Sequence, residues 1–219
     1  MINDEVVIHI KEDKSVRLEI TENGKTRTKL ISPQTLFDCI KGSLSSTPVK
    51  VASGLLPSNI ISVTGDESGA RYAVVEYPYK TADITYMLTE YKDFPLPRLI
   101  FGFTVESSGR ISQVKLGVPD IGKLKPNTKM YYYPFSNVSH FSLCTGTNAL
   151  PNIKTLQSLE NLPSYILSLP DNDDYYQDRN TKLKLGHREL LEHLKDKDRQ
   201  YYYDNVLLQM PNATLKNFL

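Results

Sequence analysis

The sequence predicts an α+β fold, an antiparallel sheet followed by C-terminal helices. Two observations carry this. Alternating apolar segments punctuated by turn signals fill most of the chain up to Tyr131–Pro134, and apolar residues at helical spacing fill the part after Cys144. No segment alternates strand with helix in the manner of a parallel α/β sheet, and runs of strands followed by runs of helices argue for α+β.

The first 31 residues read as strands. Val6, Ile8 and Ile10 alternate with Val7, His9 and Lys11, and Val16, Leu18 and Ile20 alternate with charged residues. Glu22-Asn23-Gly24-Lys25 supplies a hairpin turn, which Thr26 to Leu30 closes. Ser32-Pro33 caps a helix over Gln34 to Lys41 that Gly42 ends, and Ser43 to Pro48 reads as a linker. Residues 1–48 thus form a β-hairpin and helix extension, and residues 49–219 the main domain.

In the main domain, strands are expected over Asn59 to Val63, Tyr72 to Tyr77 and Ile84 to Tyr91. Pro95-Leu96-Pro97 then interrupts the sheet. Leu99 to Glu106 and Arg110 to Val118 flank Ser107-Ser108-Gly109, a hairpin signal. Leu156, Leu159, Leu162, Ile166 and Leu169 fall on one helical face, with Pro163 restarting the helix. Asp171-Asn172-Asp173-Asp174 is an acidic loop, and Leu183 to Leu194 and Asp198 to Met210 are the last helices.

Composition narrows the function classes. The 219 residues carry 26 Lys+Arg against 25 Asp+Glu, so no bulk field recruits a polyanion, and nucleic acid is not expected as a partner. Two cysteines exclude a disulfide-rich module and a cysteine-based zinc cluster. The N-terminal residues lack the pattern of a signal peptide, and no run approaches the ~18 apolar residues of a membrane span. A cytoplasmic protein with free thiols, no cofactor and no metal is expected. No phosphate-cradling glycine loop and no serine nucleophile elbow occurs. The 14 tyrosines include runs at Tyr131 to Tyr133 and Tyr201 to Tyr203, which read as core or interface packing.

Cys144 is the candidate nucleophile. It follows the sheet, precedes the helices and lies beside Gly146, where a thiol can stand exposed near backbone amides that favour the thiolate. The alternative is a buried free cysteine. Cys39 falls on the apolar face of Leu36-Phe37-Asp38-Cys39-Ile40 and is assigned to the core. His140 precedes Cys144 by four residues, ~13 Å along a strand, so it reaches the thiol only through a loop. His187 and His193 fall on different helical faces and do not make a metal pair.

Phe94-Pro95-Leu96-Pro97, then Pro134 with Ser136-Asn137-Val138, then Leu143-Cys144, resembles the core of the ubiquitin-conjugating enzymes. In that superfamily a proline-rich element enters a strand, a His-Pro-Asn motif follows, and the catalytic cysteine comes about eight residues after its Asn. Here Asn137 precedes Cys144 by seven. Leu156 to Leu169 resembles the crossover helix, Pro170 to Asp174 the acidic loop behind it, and Lys195 to Tyr203 a later helix. The chain departs from the family where Tyr133 stands in place of its His and where Phe135-Ser136 separate Pro134 from Asn137. Within the superfamily it is most similar to the bacterial group called prokaryotic family D, which includes the B protein of PRTRC plasmid systems.

The resemblance implies a ubiquitin-conjugating-like core behind an N-terminal β-rich extension. It implies a transferase that holds a ubiquitin-like modifier as a thioester on Cys144 and passes it to an amine. Asn137 is then the amide that stabilises an oxyanion or orders the loop, and Asp173 or Asp174 the acid that deprotonates an incoming lysine. The implied partners are a ubiquitin-like protein, a ThiF-type activating enzyme and a metal-dependent isopeptidase of the same system. The alternative on the same fold is a catalytically inactive interaction module of a mobile-element or defence system.

Overall fold

The computed structural model describes residues 5–45, 54–66 and 68–219. The chain divides into two compact units, Met1–Ala52 and Ser53–Leu219. Ser46 to Pro48 of the expected linker lie outside the described residues.

The first unit is a three-stranded antiparallel sheet, β1 (Glu5–Ile10), β2 (Val16–Glu22) and β3 (Lys25–Ile31), in that order, followed by helix α1 (Pro33–Ser45). The β2–β3 turn is the predicted one. Asn23 and Gly24 both take positive φ, 52° and 73°, which matches the twist of the flanking strands. Ser32 caps α1, its Oγ accepting from Thr35 N at 3.0 Å. The helix runs through Gly42 rather than stopping there, since an interior glycine costs only about 1 kcal/mol. Cys39 is exposed, not core, because the apolar face of α1 that carries Phe37 and Ile40 stands open to solvent.

The second unit is α+β with mostly antiparallel strands, as the sequence predicts at that level. Its centre is a meander of β4 (Ile60–Gly65), β5 (Arg71–Tyr77), β8 (Leu99–Val105) and β9 (Ile111–Pro119), hydrogen-bonded in that order. The β8–β9 hairpin turns at the predicted Gly109 (φ 87°). Central β8 is buried on both faces. Leu99, Phe101 and Phe103 join the main core, while Ile100 packs with Val74, Met130 and the C-terminal Leu215 and Phe218. Strand β10 (Lys129–Tyr131) extends the sheet beside β9 and pairs with β14 (Gln209–Thr214), which leads into α5 (Leu215–Phe218).

The segment read as one strand over Ile84 to Tyr91 is a hairpin, β6 (Thr81–Tyr86) and β7 (Thr89–Pro95), turning at Met87-Leu88. A two-residue turn preserves the alternation, and Met87 takes φ 52° without the usual Asn or Gly to announce it. A short strand, β13 (Pro170–Asp171), pairs in parallel with β6, Pro170 opposite Thr85 and Asp171 opposite Tyr86.

The helical region is more broken than its periodicity predicts. Leu156–Leu159 is a 3-10 turn, and α2 (Leu162–Leu167) starts with Pro163 in its first turn. Leu156, Leu159, Leu162 and Ile166 are all buried across these two pieces, while Leu169, expected on the same face, lies beyond α2 and is half-buried. Helix α3 (His187–Leu194) begins at a capping box in which Glu189 accepts from Gly186 N at 3.1 Å. The last helix predicted over Asp198 to Met210 is short: α4 (Arg199–Tyr201) continues as a π-turn over Tyr202–Val206, and β14 takes up the rest.

The tyrosine runs pack as expected. Tyr202 is wholly buried and its hydroxyl donates to Pro95 O at 2.6 Å. Tyr203 donates to Pro119 O at 2.9 Å and meets Tyr131 edge-on. Arg199 Nε donates to Leu96 O at 3.1 Å. The Tyr202 and Arg199 bonds hold the proline segment, whose two prolines have no N–H for ladder pairing. Tyr202→Phe leaves a buried carbonyl without its donor, at a cost of about 1–3 kcal/mol. Thermal unfolding of the variant is expected about 2–12 °C below wild type, and an unchanged midpoint would remove this bond from the account.

Candidate functional site

Cys144 stands at the end of a small hairpin, β11 (Val138–Ser139) and β12 (Ser142–Leu143), that attaches to the main sheet through Ser142 opposite Lys115. His140 takes φ 56° at its tip. Pairing Val138 with Leu143 carries the two ends on to Asn137 and Cys144, where Cys144 N donates to Asn137 O at 2.8 Å. The seven-residue spacing therefore closes into direct contact. His140 is exposed at the far end of the hairpin and takes no part in the cavity at Cys144.

Asn137 itself has φ 61°, a left-handed conformation that Asn tolerates better than most residues. It is bonded on three sides. Its N–H donates to Asp174 O at 2.6 Å, its C=O accepts from Cys144, and its side-chain Nδ2 donates to Asp171 Oδ1. Asp171 Oδ1 also accepts from Ser136 Oγ at 2.5 Å and from Asn172 N at 3.1 Å. Ser136 is buried beneath it. Met87 N donates to Asp171 O at 2.8 Å, completing the register of β13 on β6. Asp171 thus joins the Ser136-Asn137 bend, the acidic loop and the turn of the β6–β7 hairpin.

These residues line one cavity of about 230 Å³, to which Asn137, Cys144, Thr145, Asp171 and Asp174 all contribute. Apolar side chains from beneath, among them Ile84, Leu96 and Ile166, close its floor. Cys144 is exposed at the rim. Tyr133 lines the same cavity and stands edge-on to Phe135. Burial, and then the charge of Asp171, push its phenol far above the ordinary range, so it remains a neutral hydroxyl.

The two carboxylates left open by the sequence separate. Asp174 lines the Cys144 cavity, with its Oδ2 accepting from Asn172 Nδ2 at 3.0 Å. Asp173 belongs to a different, open cleft, where its Oδ1 accepts from Tyr86 Oη at 2.8 Å and meets His187 Nδ1 at 3.0 Å. His187 is buried between Tyr176, stacked at 4.5 Å, and Tyr86, edge-on at 4.5 Å. The residue that sequence reasoning missed is Asp171. It was visible as one acid of the loop, but nothing local marked it as the acid that would turn inward, because the β13–β6 pairing that places it links residues 85 positions apart.

Burial pushes the Asp171 carboxyl above its ordinary value; the Ser136 bond, the His187 ring and Asn172 N partly oppose this, and Asp173 adds to it. Among the described residues no group of three or more His, Cys, Asp or Glu side chains is placed to hold a metal ion, and no helix is long and apolar enough to cross a membrane. Comparison with protein-family models, curated proteins and solved structures finds no match.

The raised pKa has a sign for stability. Native Asp171 holds its proton more tightly than the unfolded chain does, so its contribution is most favourable below the ordinary carboxylate value of ~3.9 and is lost as pH rises through the raised native value. Asp171→Asn keeps an oxygen for the three donors and removes the charge. Urea unfolding of both proteins across a pH series is expected to show the variant gaining on wild type from acid toward neutral pH. Parallel curves would refute the raised pKa of Asp171.

Proposed function

We propose that the chain is a ubiquitin-conjugating-like carrier, in which Cys144 accepts the C-terminal acyl group of a ubiquitin-like protein and releases it to an amine. One observation supports the reading above the rest: Asn137, Cys144 and the acidic loop, separate in sequence, line a single cavity at the rim of an antiparallel meander. The order of these parts is that of the family the sequence resembles.

The chemistry follows from what each residue offers. The thiolate of Cys144 attacks the modifier's activated carbonyl. A carbon–sulfur bond forms, and the activating enzyme's thiolate leaves. An amine then attacks the Cys144 thioester, the carbon–sulfur bond breaks, and the amine's surplus proton passes to a carboxylate. Asp174 and Asp171, which both line that cavity, are the two acids in reach of it. Asp173, facing the other cleft, is not given this role.

Asn137 is assigned to loop order. Its Nδ2 is directed to Asp171, and its main chain bridges Cys144 and Asp174. Asn137→Gly keeps access to positive φ but loses the amide, and Asn137→Ala loses both. Transfer rates are expected to fall in the order wild type, Gly, Ala, the last by about 10²-fold, the cost of a misplaced reacting group. Equal rates in all three would remove Asn137 from the mechanism.

The deciding experiment is an intact mass of tagged Cys144→Ser protein purified from its own host. An oxyester outlives a thioester, so an added mass matching a small protein is expected, absent in Cys144→Ala and retained when Cys39 is changed to Ala. No adduct, with the cognate activating enzyme present, would favour a binding module on the same scaffold.

A further inference from the structure

The two edges of the N-terminal sheet differ. Outer strand β3 carries Lys25, Arg27 and Lys29 at alternate positions, the charged pattern that discourages edge pairing. Outer strand β1 has no Lys, Pro or bulge between Val6 and Ile10, and its apolar side chains stand in water: Val6 is 59% exposed, Ile8 44% and Ile10 69%.

The hydrogen-bonding groups on that edge can be assigned. Lys11 N donates to Ser15 O at 3.1 Å, in the same register that pairs Ile10 with Val16. Bonded pairs alternate along an antiparallel ladder, so His9, Val7 and Glu5 spend their N–H and C=O groups on β2. Val6, Ile8 and Ile10 point theirs to the open edge.

We propose that β1 is a self-association edge, which pairs antiparallel with β1 of a second copy about a two-fold axis at Ile8. In this register Ile8 faces Ile8 of the second copy, and Val6 faces its Ile10. All of the outward N–H and C=O groups are then satisfied. Val7 faces His9 of the second copy. Glu5 falls opposite its Lys11, so each end of the paired strands closes on an opposite charge. The same register makes one six-stranded sheet, in which the apolar stripes of β1 and β2 become continuous across the axis. A shifted register leaves fewer residues paired and loses the charge match. The complement is therefore this strand itself, and the partner is a second copy of this chain. Thioester chemistry at Cys144 plays no part in the argument.

The full chain is expected to sediment at twice its 24.9 kDa mass and to dissociate on dilution. Ile8→Lys sets two like charges face to face at the axis and is expected to give a monomer. Glu5→Lys is expected to weaken the dimer about tenfold, and adding Lys11→Glu to restore it. A trap gives the register directly. In a chain with Cys39 and Cys144 both changed to Ser, Ile8→Cys brings two thiols to a bonded antiparallel position about 5.5 Å apart at Cα, within disulfide reach. Mild oxidation is expected to cross-link it, and to leave Leu30→Cys on the opposite edge strand monomeric. A wild-type monomer at every concentration, a dimer indifferent to Ile8→Lys, or equal cross-linking at both edges would each overturn the proposal.

Discussion

The Asp171 carboxylate is the constraint on which the site depends. One of its oxygens receives a hydroxyl, a side-chain amide and a backbone amide. A carboxylate taken out of water is costly unless donors replace the lost hydration, and donors to a charged oxygen are stronger than neutral ones. The three donors come from two loops that share no secondary-structure ladder. Their common acceptor is what fixes the distance between them. From there the order passes through Asn137 to the backbone amide of Cys144. The position of Cys144 thus rests on a half-buried acid whose own side chain is not bonded to it, and the cavity keeps its shape because three donors converge on one carboxyl oxygen.

The scaffold under that contact is set by how the chain deals with Pro95-Leu96-Pro97. A proline segment leaving a buried strand strands carbonyls among apolar side chains, and these need donors. Tyr202 and Arg199 supply them from the C-terminal turn. Phe135 then fills the space between Phe94, Tyr133 and Tyr202, each met edge-on. The tyrosine-rich composition has this physical sense: tyrosine brings a large apolar ring into the core and a hydroxyl to a carbonyl that has no ladder partner. Large rings also suit a region whose helices are short, since few long helical faces are available to cover the sheet.

What the sequence revealed and what it hid follow from the range of each interaction. The turns at Asn23-Gly24 and Gly109 were legible because positive φ has a residue signature. The turn at Met87-Leu88 was not, because a backbone bond from Met87 N to Asp171 O, far along the chain, holds it without one. The buried face of Leu156, Leu159, Leu162 and Ile166 was legible from spacing, yet the break between turn and helix was not placed. Cys144 and Asn137 were named together from the family resemblance, while the short hairpin that brings them into contact was not expected. Asp171 was one acid among three in a run, and only its pairing with β6 across the fold singles it out. Cys39 was misplaced for the converse reason. An apolar helical face was taken as a buried one, and this helix keeps that face open.

Phe135-Ser136 finds its place in the same terms. Phe135 turns into the aromatic core and Ser136 donates to Asp171, so the two residues anchor the bend on which Asn137 is presented. Residue chemistry then limits what can stand at position 137. Glycine reaches φ 61° without strain but has no amide to offer Asp171. Aspartate tolerates the conformation but would set a second carboxylate against the first. Glutamine has the amide on a longer stem and pays more for the left-handed backbone. Asparagine alone among these combines a tolerated positive φ, a short side-chain donor and no charge. The Asn is thus required by backbone geometry and by the Asp171 carboxyl together.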